Sequence, residues 1–475
     1  MDILPIDRSF LKQMLYKASA ETSKTTHIAL ALFACIGLGL AIWGGCAYCT
    51  SKSSSTEPLK GAAASSSSST PDPDPVHPLL KDPDVRNYVL IDGVNTLEYE
   101  FSPEATEQVQ EILAMSHDST DRVDYRDQEV ITIDRAGSKD FDNALSIRKT
   151  PQGKFELFVH ITDVSHFIKP DTPLDQHAST RSETAYFPGT TIPMLPPELS
   201  NDFLSLKEGE DRCTMTLKIT YDKSGNFEGV KKESSIICSK KKLTYEEAQG
   251  ILDGKTSPHQ DMLFRLQEFC EMQLNYHNIA SNYTVIETDA EGNPTNIKSE
   301  TISEAQKIVR ECMNQANYAA SEHLEPNPAL YLGQETSYAP VQYSRTPKLH
   351  DGLEFDSFTH FTNPLRRYAD ILVHRQLRND ALVPTEQNIE NINLRHIIIK
   401  CAVTCVENRK KMRFLQQQSP PLKARVSRDP TQFFVHRAQI IGTINGYQGT
   451  PGEEILVIPE VIDLEGYNVT WSLAT

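Results

Sequence analysis

Residues 131–145 read Ile-Thr-Ile-Asp-Arg-Ala-Gly-Ser-Lys-Asp-Phe-Asp-Asn-Ala-Leu, and the rest of the chain is organised around them. Val130–Ile133 is a short β-branched run, which predicts a buried strand. Asp134 stands at its end, Ala136–Ser138 supplies a turn, and Asp140, Asp142 and Asn143 follow. Three carboxylates and an amide thus crowd one loop held by a strand. Like charges at close range resist joint ionisation, so something positive must neutralise them. All four side chains offer oxygen, which suits Mg²⁺ or Mn²⁺ far better than zinc. The competing reading is ordinary turn chemistry, because Asp and Asn are common turn residues.

Composition narrows the context. The chain has 475 residues and a net charge of −17. A non-specific nucleic-acid binder usually presents a basic surface, since phosphate contacts supply most of its affinity. Any RNA here must therefore use a local basic groove. Nine cysteines are scattered without zinc-finger spacing. Cys46 and Cys49 have no partner pair nearby, and the downstream cysteines are read as core thiols.

In chain order, residues 1–27 are polar and mildly basic. Ile28–Cys49 carries no charge, is strongly apolar, and has Trp43 and Tyr48 near its far end. That length suits a single membrane-spanning helix. A cleaved signal peptide is the rival, but its leader would be unusually long. Residues 50–78 form a Ser/Pro-rich linker that cannot build a core and is expected to be disordered. Residues 79–420 read as an α+β domain, with strands first and helices later. Ser102-Pro103-Glu104 starts a helix. Phe155–Ile161 and Met215–Tyr221 alternate as strands, and Lys223–Asn226 turns a hairpin. Helices are predicted over Tyr245–Asp253, Gln260–Ser281, Ser303–His323, Pro364–Asn379 and Arg395–Gln418. Residues 421–475 hold two strand-like runs, Phe433–Ile441 and Glu454–Val461, and read as a short, divergent remnant of an OB-type barrel.

Three further stretches bear on chemistry. Asp163 and His166 follow a strand and either face a site or hydrogen-bond locally. Tyr186-Phe-Pro-Gly-Thr-Thr-Ile-Pro-Met-Leu-Pro-Pro197 is too proline-rich for a helix or central strand, so a rigid extended surface segment is expected. Tyr186 at its start either stacks on a base or packs on the loop. In Thr359–Asp370, Asn363 is read as a cap and Pro364 as the first helical residue, placing Arg366 and Arg367 in the first turn. Cations there oppose the helix dipole, unless an anion docks at the helix start. Pairing of Asp370 with one arginine is the alternative.

These segments, in this order, resemble the catalytic domain of the ribonuclease II / ribonuclease R family, the RNB domain. The carrying strings are Arg122–Arg126 with Ile131–Leu145, Val159–Ile168, Tyr186–Leu206, and His350–Arg375 with Tyr-Ala-Asp-x-x-x-His-Arg intact. The resemblance implies a 3′→5′ exoribonuclease that hydrolyses single-stranded RNA with Mg²⁺ to nucleoside 5′-monophosphates. It places Asp134, Asp140 and Asp142 at the metal site, with Asn143 beside them. It places Tyr186, Tyr245, Glu311 and Arg366 along the RNA, with Arg367 adjacent. It gives the catalytic role to Asp140, Asp142 and Arg366. The family pattern has a second aspartate where Asn143 stands, and an acid where Arg310 stands. Cold-shock barrels usually precede the domain; here the apolar segment and linker occupy that place. The expectation is a membrane-tethered enzyme, with its catalytic domain facing the cytoplasm where RNA is found. The basic residues before Ile28 bias the topology the other way. A catalytically silent relative that binds single-stranded RNA or a protein partner at the membrane is the alternative.

Overall fold

The computed structural model describes residues 81–91, 94–95, 97–273, 282–325, 327–334, 340–379, 382–464 and 466–474. The helix expected over Ile28–Cys49 and the linker over 50–78 lie outside these. Among the described residues, no helix is long and apolar enough to cross a membrane.

The fold is α+β. Helix α1 (Pro83–Val89) is followed by α2 (Pro103–Leu113). α2 begins as its sequence dictates, with the Ser102 hydroxyl accepting the Ala105 amide and Pro103 in the first turn. The chain then lays down β1 (Val123–Asp124), β2 (Ile131–Asp134), β3 (Asn143–Lys149) and β4 (Phe155–Thr162). A small hairpin follows, β5 (Ala185–Phe187) and β6 (Thr190–Ile192). Then come β7 (Asp211–Tyr221), β8 (Phe227–Cys238) and β9 (Lys241–Thr244). Seven strands form one sheet in the order β9-β2-β3-β4-β7-β8-β1. The inner pairings are antiparallel; the two outermost, β9 on β2 and β1 on β8, are parallel.

Helix α3 (Tyr245–Leu252) leads directly from β9, and α4 (Gln260–Glu271) and α5 (Glu304–Leu324) cover the sheet. Each buries an apolar stripe at helical spacing, such as Met262, Leu263, Leu266 and Phe269 on α4.

Several boundaries differ from those read in the sequence. α4 ends at Glu271, and residues 274–281 of the helix expected to reach Ser281 lie outside the described residues. After it, β10 (Asn282–Thr288) and β11 (Pro294–Thr301) form a hairpin around Asp289, whose carboxylate accepts the Glu291 and Asn293 amides. Helix α6 spans Tyr368–Arg378 and does not begin at Pro364. An isolated bridge between Glu183 and Arg367 holds Arg367 extended at φ −140°. Thr184 donates to the Arg366 carbonyl at 3.0 Å and Tyr368 to the Ser182 carbonyl at 2.7 Å. Asn363 therefore closes a turn, and both arginines precede the helix. Helix α7 starts at Glu386, earlier than Arg395, because Thr385 and Asn388 build a capping box there. The Tyr186–Pro197 segment is extended but not wholly on the surface: Phe187, Ile192, Met194 and Leu195 are buried.

α7 (Glu386–Gln416) runs into five antiparallel strands: β12 (Leu422–Val426), β13 (Gln432–Val435), β14 (Ile440–Thr443), β15 (Glu454–Asp463) and β16 (Asn468–Leu473). Their order is β14-β13-β12-β15-β16. The two edges meet, since a Cβ on Gly442 would lie 2.8 Å from the Trp471 indole nitrogen. The short segment thus carries all five strands of an OB-type order, where the sequence shows two strand-like runs.

The amino-terminal arm, residues 81–102, is fastened to this end of the molecule. Lys410 is fully buried, with Nζ 2.6 Å from Asp82 Oδ2 and bonded to the Gly292 carbonyl. Arg409 and Arg413 pair with Asp84 at 2.8 and 3.1 Å. Val85, Tyr88, Val89 and Leu97 share a core cluster with Phe187 and Ile192 of the β5–β6 hairpin.

Candidate active site

Asp134 ends β2 and Asn143 begins β3, so the sheet grips the acidic loop at both ends. Gly137 takes φ +87°, a conformation that glycine adopts without strain. The loop is laced to the chain at Ser205 and Leu206. The Phe141 amide donates to Ser205 Oγ at 3.0 Å, Ser205 Oγ donates to the Lys139 carbonyl at 2.6 Å, and the Leu206 amide donates to the Phe141 carbonyl at 3.0 Å. Thr162 donates to the Asp142 carbonyl at 2.9 Å. The carboxylates thus project from a fixed turn.

Asp142 is 3% exposed. Its Oδ1 accepts the Leu365 amide at 2.7 Å, and its Oδ2 lies 3.4 Å from Arg366 Nε. Burial pushes this carboxyl up to about 8, against the pull of Arg366 and the Leu365 amide. Burial also raises Asp134, although the Arg135 amide and Ser138 hydroxyl stabilise its ionised form. Asp140 Oδ2 accepts the Tyr186 hydroxyl at 3.1 Å. Among the described residues, no three His, Cys, Asp or Glu side chains stand gathered as a ready-made metal-binding group. The chemistry of the set nonetheless fits a metal ion. Asp134, Asp140, Asp142 and Asn143 offer oxygen alone, and burial raises two of the carboxyls, Asp134 and Asp142, whose ionised forms a nearby cation would favour.

The other residues singled out in the sequence divide. Tyr186, 45% exposed, stands over the loop. Tyr245 is brought beside it by the parallel β9–β2 pairing, which aligns Thr244 with Asp134. Burial, then the charge of Asp134, pushes its hydroxyl up to about 12. Arg366 reaches Asp142, but Arg367 turns to Asp370, donating through Nη2 at 3.0 Å. Asp370 also accepts the Asn363 amide at 2.7 Å, so Arg367 braces the turn that presents Arg366.

Glu311 is not at the loop. It shares the inward face of α5 with Ile308, Cys312 and Gln315, is fully buried, and accepts from Gln315 Nε2 at 2.7 Å. Its exposed neighbour Arg310 is the one whose charge reaches Tyr245. Asp163 is also structural, buried between Arg122, at 2.9 Å, and Arg378.

Sequence reading missed Tyr283 on β10, whose ring lies 5.6 Å from the Arg135 guanidinium beside the acidic loop. It also missed Lys242, which donates to the Ser138 carbonyl at 3.2 Å and covers the Phe141 ring at 4.5 Å. The signal for Tyr283 was present as two alternating runs around Asp289–Gly292.

Comparison with known proteins shows what the sequence and the fold resemble. Ribonuclease R of Thermotoga maritima is 30% identical over 328 residues, covering 55% of this chain and 46% of the relative. The chain spans about half the length of the curated relatives it matches. The structure titled Mycoplasma genitalium RNase R in complex with ribose methylated single-stranded RNA is similar at a TM-score of 0.72. That match has 18% identity and covers 84% of this chain and 78% of the other. Yeast Ssd1, described as a pseudonuclease, is similar at a TM-score of 0.55 and 17% identity, over 76% of this chain and 55% of the other. The RNB domain model matches residues 122–342 and 335–380, from the strand that precedes the acidic loop to the end of the helix behind Arg366. With that match spanning more than half of its residues, the chain belongs to the RNB domain family.

Proposed function

We propose that the protein is a 3′→5′ exoribonuclease that hydrolyses single-stranded RNA to nucleoside 5′-monophosphates. The observation that carries this reading is the meeting of Asp142 with Leu365 and Arg366, from segments 223 residues apart. A fixed acidic loop and a guanidinium at one point suit phosphodiester hydrolysis. Asp134, Asp140, Asp142 and Asn143 would hold Mg²⁺, for which Mn²⁺ can substitute. When bound, the ion supplies an activated water and neutralises charge on the phosphate. Arg366 offers a planar fork of N–H donors to the phosphate as its charge grows. Tyr186, Tyr245 and Tyr283 supply aromatic faces on which bases stack without regard to sequence. The acidity of the chain is compatible with RNA because Arg135, Lys242, Arg310 and Arg366 concentrate positive charge around the loop. The M. genitalium relative, solved with single-stranded RNA, supports the same substrate class.

The test uses the full-length protein with 5′-labelled single-stranded RNA and Mg²⁺, beside Asp142→Asn. A ladder shrinking from the 3′ end in the wild type alone is expected. An intact substrate in both overturns the reading.

One observation favours a second reading, an RNA-binding relative without activity. Asn143 brings no charge where the family pattern has an aspartate, and the fold also occurs in a protein described as a pseudonuclease. RNA retained without cleavage would establish it. We further propose that Ile28–Cys49 tethers the protein to a membrane as a single span, with the catalytic domain facing the cytoplasm. Resistance to carbonate extraction and protease protection in vesicles test both points.

A further inference from the structure

The carboxy-terminal sheet carries aliphatic residues on its outer face. Leu422, Ala424, Val426, Phe433, Val435 and Val457 turn inward and are buried. Alternation then assigns the outward positions to polar side chains. On β15 those positions are instead Leu456, Ile458 and, past the irregularity between Pro459 and Val461, Val461. Leu456 is 44% exposed and Val461 61%. The strand register extends this ridge across the sheet. Lys423 pairs with Leu456, Arg425 lies between Glu454 and Phe434, and Phe434 pairs with Ile441, itself 46% exposed. A contiguous aliphatic surface of this kind marks a contact site.

Where the chain arrives identifies the occupant. Asp82 is bound to Lys410, six residues, or about 9 Å of helix, before the end of α7. Met412, Phe414 and Leu415, just beyond, share a core cluster with Leu422, Phe433 and Val457. The amino-terminal arm therefore joins the described structure beside these strands. Residues 50–80 separate it from the apolar run Ile28–Cys49, and a Ser-rich chain of that length has an end-to-end distance of roughly 30 Å. A membrane span at Ile28–Cys49 would thus hold the sheet within reach of lipid, at an effective concentration of roughly millimolar, so that a weak contact suffices.

We propose that the outer face of this sheet lies on the anionic surface of the membrane to which the chain is tethered. The inference rests on the membrane span proposed above. Leu456, Ile458 and Val461 enter the boundary between head groups and acyl chains, and Lys423 and Arg425 meet the anionic head groups. Single-stranded RNA suits the ridge less well, because bases stack on aromatic faces and these three side chains are aliphatic. The face orients the catalytic domain on the bilayer, which a flexible linker alone cannot do.

The test reconstitutes the full-length protein in vesicles of phosphatidylcholine and phosphatidylglycerol brominated on their acyl chains. Leu456→Trp places an indole in the ridge, and Phe264→Trp places one at an exposed position of α4 as a control. Over the wild-type background of Trp43 and Trp471, the indole at position 456 is expected to lose most of its emission and to shift it to shorter wavelength. Phe264→Trp should add unquenched emission. Adding Lys423→Glu and Arg425→Glu to Leu456→Trp should restore the emission, and phosphatidylcholine alone should quench less than the anionic mixture. If Leu456→Trp does not fold, Val461→Trp serves the same reading. An unquenched indole in the ridge overturns the proposal, as does equal quenching in Phe264→Trp. A shift produced by single-stranded RNA without lipid, and lipid quenching abolished by that RNA, would overturn it in favour of a nucleic-acid face. Carbonate extraction reads the span separately. Extractable protein whose ridge indole is quenched would sink the span and keep the face; resistant protein with an unquenched indole would do the reverse.

Discussion

At the scale of single residues, position 143 is the sharpest lever. Asn143→Asp restores the charge that the family pattern carries and should raise Mg²⁺-dependent RNA shortening about tenfold or more, as changes around metal ligands commonly do. A rate unchanged by the substitution would show that this position does not limit turnover. His160 offers a second test. It is fully buried between Thr216 Oγ1 at 2.7 Å and Ser146 Oγ at 3.2 Å, and burial drives its imidazolium down to about 3. In the unfolded chain it titrates near 6.5, so acid favours the unfolded state as pH falls from 6.5 towards 3. Between pH 7.5 and 5 the wild type should lose about 2 kcal/mol more stability than His160→Gln, read from urea midpoints. Identical pH slopes would contradict this. Asp134, Asp140 and Asp142 were legible because a β-branched run and a dense acidic loop are local signals. The orientation of Glu311 was not legible, because motif position says nothing about which way a helix turns, and α5 turns Glu311 inward and Arg310 outward. Tyr283 escaped notice because its partner, Arg135, is distant in sequence.

At the scale of elements, the β10–β11 hairpin was the main omission, and its contact with the β5–β6 hairpin is open to test. Gly189, in the turn between β5 and β6, has φ +82°, and a methyl there would lie 2.2 Å from Thr288 Oγ1 at the end of β10. Gly189→Ala therefore meets both backbone strain and a clash. It should destabilise the protein by about 1 kcal/mol or more. The hairpin that carries Tyr186 should also loosen, visible as faster amide exchange at residues 185–192. Exchange unchanged from wild type would show that the two hairpins are not braced against each other. Helix existence was legible from apolar spacing, as were the starts at Pro103, Tyr245 and Gln260, whereas the starts of α6 and α7 were not. Pro364 is a sound signal for a first turn, yet two backbone hydrogen bonds to residues 182–184 outweigh it. A propensity acts over a few residues; those bonds come from a segment remote in sequence.

At the scale of the whole molecule, the start of the described chain is fastened to α7 through buried charge. Asp82→Ala leaves Lys410 in the interior without its closest carboxylate and should cost about 3 kcal/mol, because a broken buried pair is worse than none. The pair Asp82→Leu with Lys410→Met should cost less than the single change. A larger loss in the double variant would argue against the pair. This fastening could not be read from the sequence, where Asp82 and Lys410 lie 328 residues apart in otherwise ordinary charged surroundings. The long reach between Asp142 and Leu365 carries a different consequence, one of timing. A ribosome adding about 5–20 residues per second makes the acidic loop on the order of 10–45 s before it makes Arg366. The nascent chain holds its aspartates without their arginine throughout that interval. Under the proposed function, the messenger being translated is spared from the protein it encodes until synthesis of the domain is nearly done.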